Sequence, residues 1–197
     1  MAPAIPRLTL YRKDGACSLA PHALLTHISI PFSAIAMQSG PVGLEAADGS
    51  LSHADFRRIN PTGYVPTLTV DSEVVTEMPA ILAYIASLAP ERNLLGKEGT
   101  MGRVKVTELL AWLSGTLHNG FAALWRPNRF TDDVNVHESI RKRGREVIDK
   151  GFAKIEQRLR GREWAVGEDV TVVTSIFEEL AGVKEAVITE GLDFCFD

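Results

Sequence analysis

Apolar and polar positions along this 197-residue chain change their period once, and that change divides it into two parts. Leu8-Thr9-Leu10-Tyr11 reads as a strand, Gly15 as a turn, and a helix follows whose first residues are Cys17 and Ser18. Residues 31–37 give a second extended run. Residues 38–51 are polar and contain glycine, and they read as a surface loop. A short helix over 52–59 stops at Asn60-Pro61, because the residue before a proline avoids the helical region. Val65, Leu68 and Val70 alternate with threonines and predict a strand. Pro66 must stand at its start, since it has no N–H to give a ladder. Asp71-Ser72 turns the chain into another strand over 73–76. The plainest helix, over 77–88, puts Ile81, Leu82, Ile85 and Leu88 on one face, with Pro79 in the first turn. The order is strand, helix, strand, helix, strand, strand, helix.

Residues 90–99 are polar and broken by glycine and proline, and read as a linker. Beyond them the pattern is helical. Val104, Thr107, Leu109, Leu110 and Leu113 share one broad face of a helix running toward Leu117-His118-Asn119. Ile140, Val147, Ile148, Phe152, Ile155 and Leu159 mark a second long helix that Gly161 ends. The predicted organisation is one domain over residues 1–89, a linker over 90–99 and a helical domain over 100–197.

Composition narrows the function classes. With 45% hydrophobic and 23% charged residues the chain is an ordinary globular one, and a net charge of −4 argues against a general nucleic-acid binder. The basic run Arg141-Lys142-Arg143 reads as a solvated helix face. No apolar run is long enough to span a bilayer. Pro3, Pro6, Arg7 and Lys13 break any leader-like stretch. Cys17 and Cys195 are too few and too far apart for a disulfide framework, so a reducing cytoplasmic setting is expected. His22 and His27 have no metal-ligand spacing, and no glycine-rich phosphate loop or dinucleotide fingerprint is present. No metal or nucleotide cofactor is expected.

The chemistry centres on Cys17. Unpaired backbone N–H groups and the positive end of a helix macrodipole favour a thiolate there, whereas most cysteines of this kind are small buried hydrophobes. Ala20 stands where the second cysteine of a Cys-x-x-Cys pair would be, so dithiol chemistry is excluded and single-thiol chemistry remains.

Three stretches, taken together, identify a relationship. Tyr11 with Gly15-Ala16-Cys17-Ser18-Leu19-Ala20-Pro21-His22, then Asn60-Pro61-x-Gly63-x-Val65-Pro66-Thr67-Leu68, then Thr76-Glu77-x-x-Ala80-Ile81-x-x-Tyr84-Ile85 resemble the N-terminal domain of glutathione transferases, closest to the bacterial beta class. Leu117-His118-x-Gly120-Phe121 and Trp125-Arg126-Pro127 are similar to the same class. The resemblance implies an α/β thioredoxin-like N-terminal domain with a cis-proline strand, followed by an all-α C-terminal domain. It also implies a homodimer that adds glutathione, as co-substrate, to a small electrophile in detoxification.

It implies roles residue by residue. Cys17 and His118 would engage or polarise the glutathione sulfur, with the hydroxyls of Ser18 and Tyr11 as further candidates. The same two residues read equally as a helix cap and a packed strand residue. Val65 and Pro66 would present backbone to the cysteinyl part, as in strand addition. Glu77 would pair with the glutamyl ammonium and the Met78 N–H would hold the glutamyl carboxylate. Some positions depart from the class: Met78 replaces a small polar residue, Asn119 a lysine and Ala111 a polar residue, which predicts weaker glutathione binding.

Glu163-Trp164-x-x-Gly167-x-x-x-Thr171 resembles the lead into the family's central helix, but Thr174 stands where its capping aspartate is expected. Residues 183–192 resemble the last helix. An internal loss near 172–182 is therefore expected. Two rival functions go with this reading. One is a glutathione-dependent single-cysteine thiol–disulfide reductase. The other is a non-catalytic relative.

Overall fold

The computed structural model describes residues 6–177 and Leu180. Five strands form one mixed sheet in the order β3-β2-β1-β4-β5: β1 Leu8–Arg12, β2 Ser33–Ser39, β3 Leu44–Ala46, β4 Thr67–Val70 and β5 Glu73–Val75. β1 and β2 are parallel, as a helical crossover requires, and the other neighbours are antiparallel. The crossover is α1, Leu19–His27. Helix α2, His53–Ile59, precedes β4, and α3, Met78–Ser87, follows β5.

Two local readings change. The stretch 38–51 is not all loop, because Leu44 and Ala46 bury their side chains and pair with β2, closed by a Gly40 N–H to Gly43 C=O bond of 2.8 Å. A three-residue strand is too short to show its period in the sequence. The first helix begins at Leu19 rather than Cys17, so the thiol sits in the turn just before it.

The second half opens with α4, Met101–Trp112. It runs without a break through a π turn, Leu113–Leu117, into α5, His118–Trp125, and α6, His137–Leu159, returns alongside. Glycines let α5 and α6 approach closely. A Cβ on Gly144 would lie 2.7 Å from both the Gly120 carbonyl oxygen and the Leu124 nitrogen, and one on Gly151 would lie 2.5 Å from Leu117 Cδ1.

Residues 172–177 are helical, and Val172, Val173 and Ile176 enter the core. A short helical stretch therefore follows Thr171, inside the span 172–182 where a loss was expected. Thr174 Oγ1 accepts from the Thr171 N–H at 3.4 Å, a weak version of the capping pair. The stretch 183–192 lies outside the described residues, as does Cys195. One core joins both halves: Leu10, Leu24, Ile81 and Ile85 belong to the same cluster as Val106, Leu109, Leu113 and Val172. A smaller cluster of Tyr11, Met37, Leu44, Phe56 and Val65 lies under β2, β3 and α2.

Candidate active site

The turn that carries Cys17 is held from behind. Ser18 is fully buried, and its hydroxyl bridges Lys13, accepting from the N–H at 2.9 Å and donating to the C=O at 3.1 Å. The Leu19 N–H closes on Ala16 C=O at 3.0 Å. These bonds fix residues 13–19 as one clip, from which Cys17 emerges 8% exposed. Its Sγ lies 3.8 Å from the Val65 carbonyl oxygen.

Val65 and Pro66 are presented by a second locked loop. Asn60, 2% exposed, donates from Nδ2 to Tyr64 C=O and to Thr67 Oγ1, each at 2.9 Å. Its Oδ1 accepts from the Thr62 N–H and hydroxyl at 3.1 and 2.8 Å. Asparagine suits this position because one short amide can satisfy donors and acceptors on both sides of a turn. The Val65-Pro66 bond is cis.

Glu77 caps α3 with φ 67° and no side-chain cap bond. A non-glycine residue in the left-handed region costs about 1 kcal/mol, so the strained cap gains nothing for the helix it begins. Residues held this way cluster at ligand-binding positions.

From the other half, His118 starts α5 directly after the π turn, a distortion that occurs often at functional positions. Ser114 lies one turn earlier on the same face. Burial is the main influence holding the His118 imidazole below its ordinary pKa. The Arg129 guanidinium lowers it further, while Glu77 acts in the opposite sense. At neutral pH the ring is therefore mostly uncharged and can either accept or donate a proton.

These pieces meet in a cleft of about 330 Å³ between the two halves. Cys17, Val65, Pro66, Glu77, Met78 and His118 all line it. The two candidate hydroxyls do not. Ser18 is committed to the Lys13 clip and reaches no solvent. Tyr11 is 7% exposed, packs its ring on Phe56 at 5.4 Å between centroids, and has its phenol pKa raised by burial. Their places in the fold correct the expectation that either faces the sulfur.

Asn60, Thr62, Tyr64, Thr76, Ser114 and Arg129 also line the cleft, and the sequence assigned no site role to any of them. The Asn-Pro-Thr-Gly turn signature and the i, i+4 spacing of Ser114 and His118 carry a signal for some of them. For Arg129 no local signal exists. A larger groove of about 620 Å³, between α4 and the end of α6, contains none of the expected residues. Among the described residues no group of His, Cys, Asp and Glu could hold a metal ion, and no helix is long and apolar enough to cross a membrane.

Comparison with known proteins places this arrangement. Residues 16–88 match the family description "Glutathione S-transferase, N-terminal domain". Glutathione S-transferase GstA of Escherichia coli O157:H7 is 30% identical over 166 residues, 84% of this chain and 76% of that protein. A sphingomonad glutathione S-transferase, solved in complex with glutathione, superimposes with a TM-score of 0.76 at 31% identity over 94% of this chain and 85% of its own. A beta-class glutathione S-transferase of Sphingomonas chungbukensis gives 0.75 at 28% identity over 94% and 85%.

Proposed function

Because the chain belongs to the glutathione S-transferase family and is a glutathione transferase, we propose that it binds glutathione in the cleft between its halves and adds the thiolate to a small electrophile there, in a detoxifying role. The observation that carries this reading is the meeting of Cys17 and His118, from opposite halves, in one cleft with the Glu77 end of α3.

Each residue then has a task. Glu77 pairs with the glutamyl ammonium, and the Met78 N–H at the helix start receives the glutamyl carboxylate. The Val65 backbone pairs with the cysteinyl peptide group beside the Cys17 sulfur. His118, uncharged at neutral pH, accepts the thiol proton and returns it to solvent as the sulfur attacks. Cys17 bears on the same sulfur. By exchange with glutathione disulfide its thiolate would form a mixed disulfide and release one glutathione thiolate. The first 89 residues supply the glutathione side and residues 100–197 the electrophile side, in a cytoplasmic homodimer.

Two measurements test the reading: titration calorimetry with glutathione, and the rate of glutathione consumption with an aryl halide compared with a disulfide substrate. Binding with faster turnover of the halide supports conjugation. Faster turnover of the disulfide, abolished by Cys17→Ala, would assign the protein to thiol–disulfide exchange instead. No binding at millimolar glutathione would overturn both.

A further inference from the structure

We infer that Arg129 is the residue that recognises the glycine-end carboxylate of glutathione, reaching that end of the cleft from the helical half. The inference rests on the glutathione reading above and goes beyond it by assigning the third charged group of the tripeptide.

Glutathione carries an ammonium and a carboxylate at its glutamyl end, and a second carboxylate at its glycyl end. Glu77 and the start of α3 answer the first pair. Among the described residues lining the cleft, Arg129 is the one cation beside the uncharged His118 and the anionic Glu77. Its guanidinium forms no ion pair with a carboxylate among the described residues. Asn119, next to His118, turns its amide back onto its own helix, donating to Gly115 C=O at 2.8 Å, and is not among the residues that line the cleft.

The position of Arg129 is built rather than incidental. It ends a 3-10 turn, Pro127–Arg129, closed by Arg129 N–H to Arg126 C=O and Phe130 N–H to Pro127 C=O, each 3.0 Å. The His137 ring nitrogen and Thr131 C=O, 2.9 Å apart, tie the following loop to the start of α6. The guanidinium then lies over the Tyr64 ring, 4.7 Å from its centroid. Stacking occupies the face of a guanidinium and leaves its N–H edge for a planar carboxylate.

Tyr64 directly precedes Val65, whose backbone is assigned to the cysteinyl peptide group. One residue further along the ligand is glycine. The cation is thus fastened to the same loop that would hold the neighbouring residue, while the glutamyl end is taken up at α3. Arg129 and Glu77 both act electrostatically on His118, in opposite directions, so both charges face the same part of the cleft.

The test compares glutathione with its glycinamide analogue, in which the terminal carboxylate is neutral, using the full chain and calorimetry. The unsubstituted protein should bind the amide about tenfold more weakly, the range of a charge-assisted hydrogen bond at a partly open site. Arg129→Gln should weaken glutathione by a similar factor, leave the amide unchanged, and so abolish the discrimination. Arg129→Lys should restore part of it. The inference is overturned if Arg129→Gln discriminates as before, if it weakens both ligands equally, or if the unsubstituted protein binds both alike. Failure of the unsubstituted protein to bind either ligand is a different result, because it removes the glutathione reading itself.

Discussion

The two walls of the cleft are built on different principles. The sheet-side wall is backbone held by short clips: Ser18 on Lys13, Asn60 on Tyr64 and Thr67, and the strained Glu77 cap. The helical wall is side chains carried on long rods, and their positions depend on how closely α5 and α6 lie. The first wall is fixed by local hydrogen bonds and should tolerate small shifts in helix packing. The second inherits every shift in helix packing. Substitutions chosen for one wall at a time separate these behaviours.

The largest effect is expected at Gly144. Alanine normally favours a helix over glycine by about 1 kcal/mol, but here its Cβ would lie 2.7 Å from backbone atoms of α5. Backbone cannot swing aside as a side chain can, so Gly144→Ala should lose about 3 kcal/mol of stability in denaturant unfolding. It should also raise the KM for glutathione through His118 without touching the ligand. A stability gain would mean that the helices do not need their close approach.

Ser18→Ala breaks the opposite wall. It removes the hydroxyl from the Lys13 N–H and from the Lys13 C=O, which keeps the Ala16 N–H at 3.3 Å, and should cost about 1–2 kcal/mol, with the pH dependence of turnover retained. A collapse of kcat at unchanged stability would return the hydroxyl to the chemistry. Glu77→Gln comes next: it keeps the cap but removes the charge, and should raise the KM for glutathione about tenfold, equivalent to about 1.4 kcal/mol. An unchanged KM would move the glutamyl end elsewhere.

A smaller effect concerns pH. His118 and His22 both have pKa values depressed below the ordinary 6.5, in each case mainly by burial. The unfolded chain therefore binds more protons just below that value, and stability rises with pH there. Thermal unfolding should show stability falling as pH drops below about 6.5, levelling only once the folded-state values are passed. His118→Gln should reduce the slope without removing it, because His22 remains. The smallest effect is expected of Tyr11→Phe, which removes a hydroxyl from the rim of a packed cluster. Turnover should be unchanged, and a large loss would place the phenol at the sulfur after all.

The same contrast explains what the sequence made legible. Cys17, Val65, Pro66, Glu77 and Met78 could be picked out because each lies in a short contiguous pattern with its own turn chemistry, and the structure brings all five to one cleft with His118. Ser18 and Tyr11 were misplaced for a related reason. Proximity in sequence to Cys17 does not say which way a hydroxyl points, and a buried one takes the nearest backbone partner. The strand Leu44–Ala46 escaped notice because three residues cannot show a period. Arg129 was invisible because its place depends on a turn that folds back after α5 and meets Tyr64 across 65 positions of chain. The helical stretch at 172–177 was also missed, since a threonine can stand in weakly for a capping aspartate when Val172, Val173 and Ile176 are buried behind it.

Val172 donates its amide proton to Leu94 C=O at 2.9 Å, inside a core that also holds Leu10, Leu24, Ile81 and Ile85. The segment between the halves is therefore a seam sewn from both sides rather than a tether. A fragment ending at residue 89 would carry Ile81 and Ile85 into water with nothing from α4 to cover them, and loosening of residues 172–177 would wet the same core from behind. The thiol near the beginning of the chain thus depends on residues near its end through the exclusion of solvent, with no contact between them.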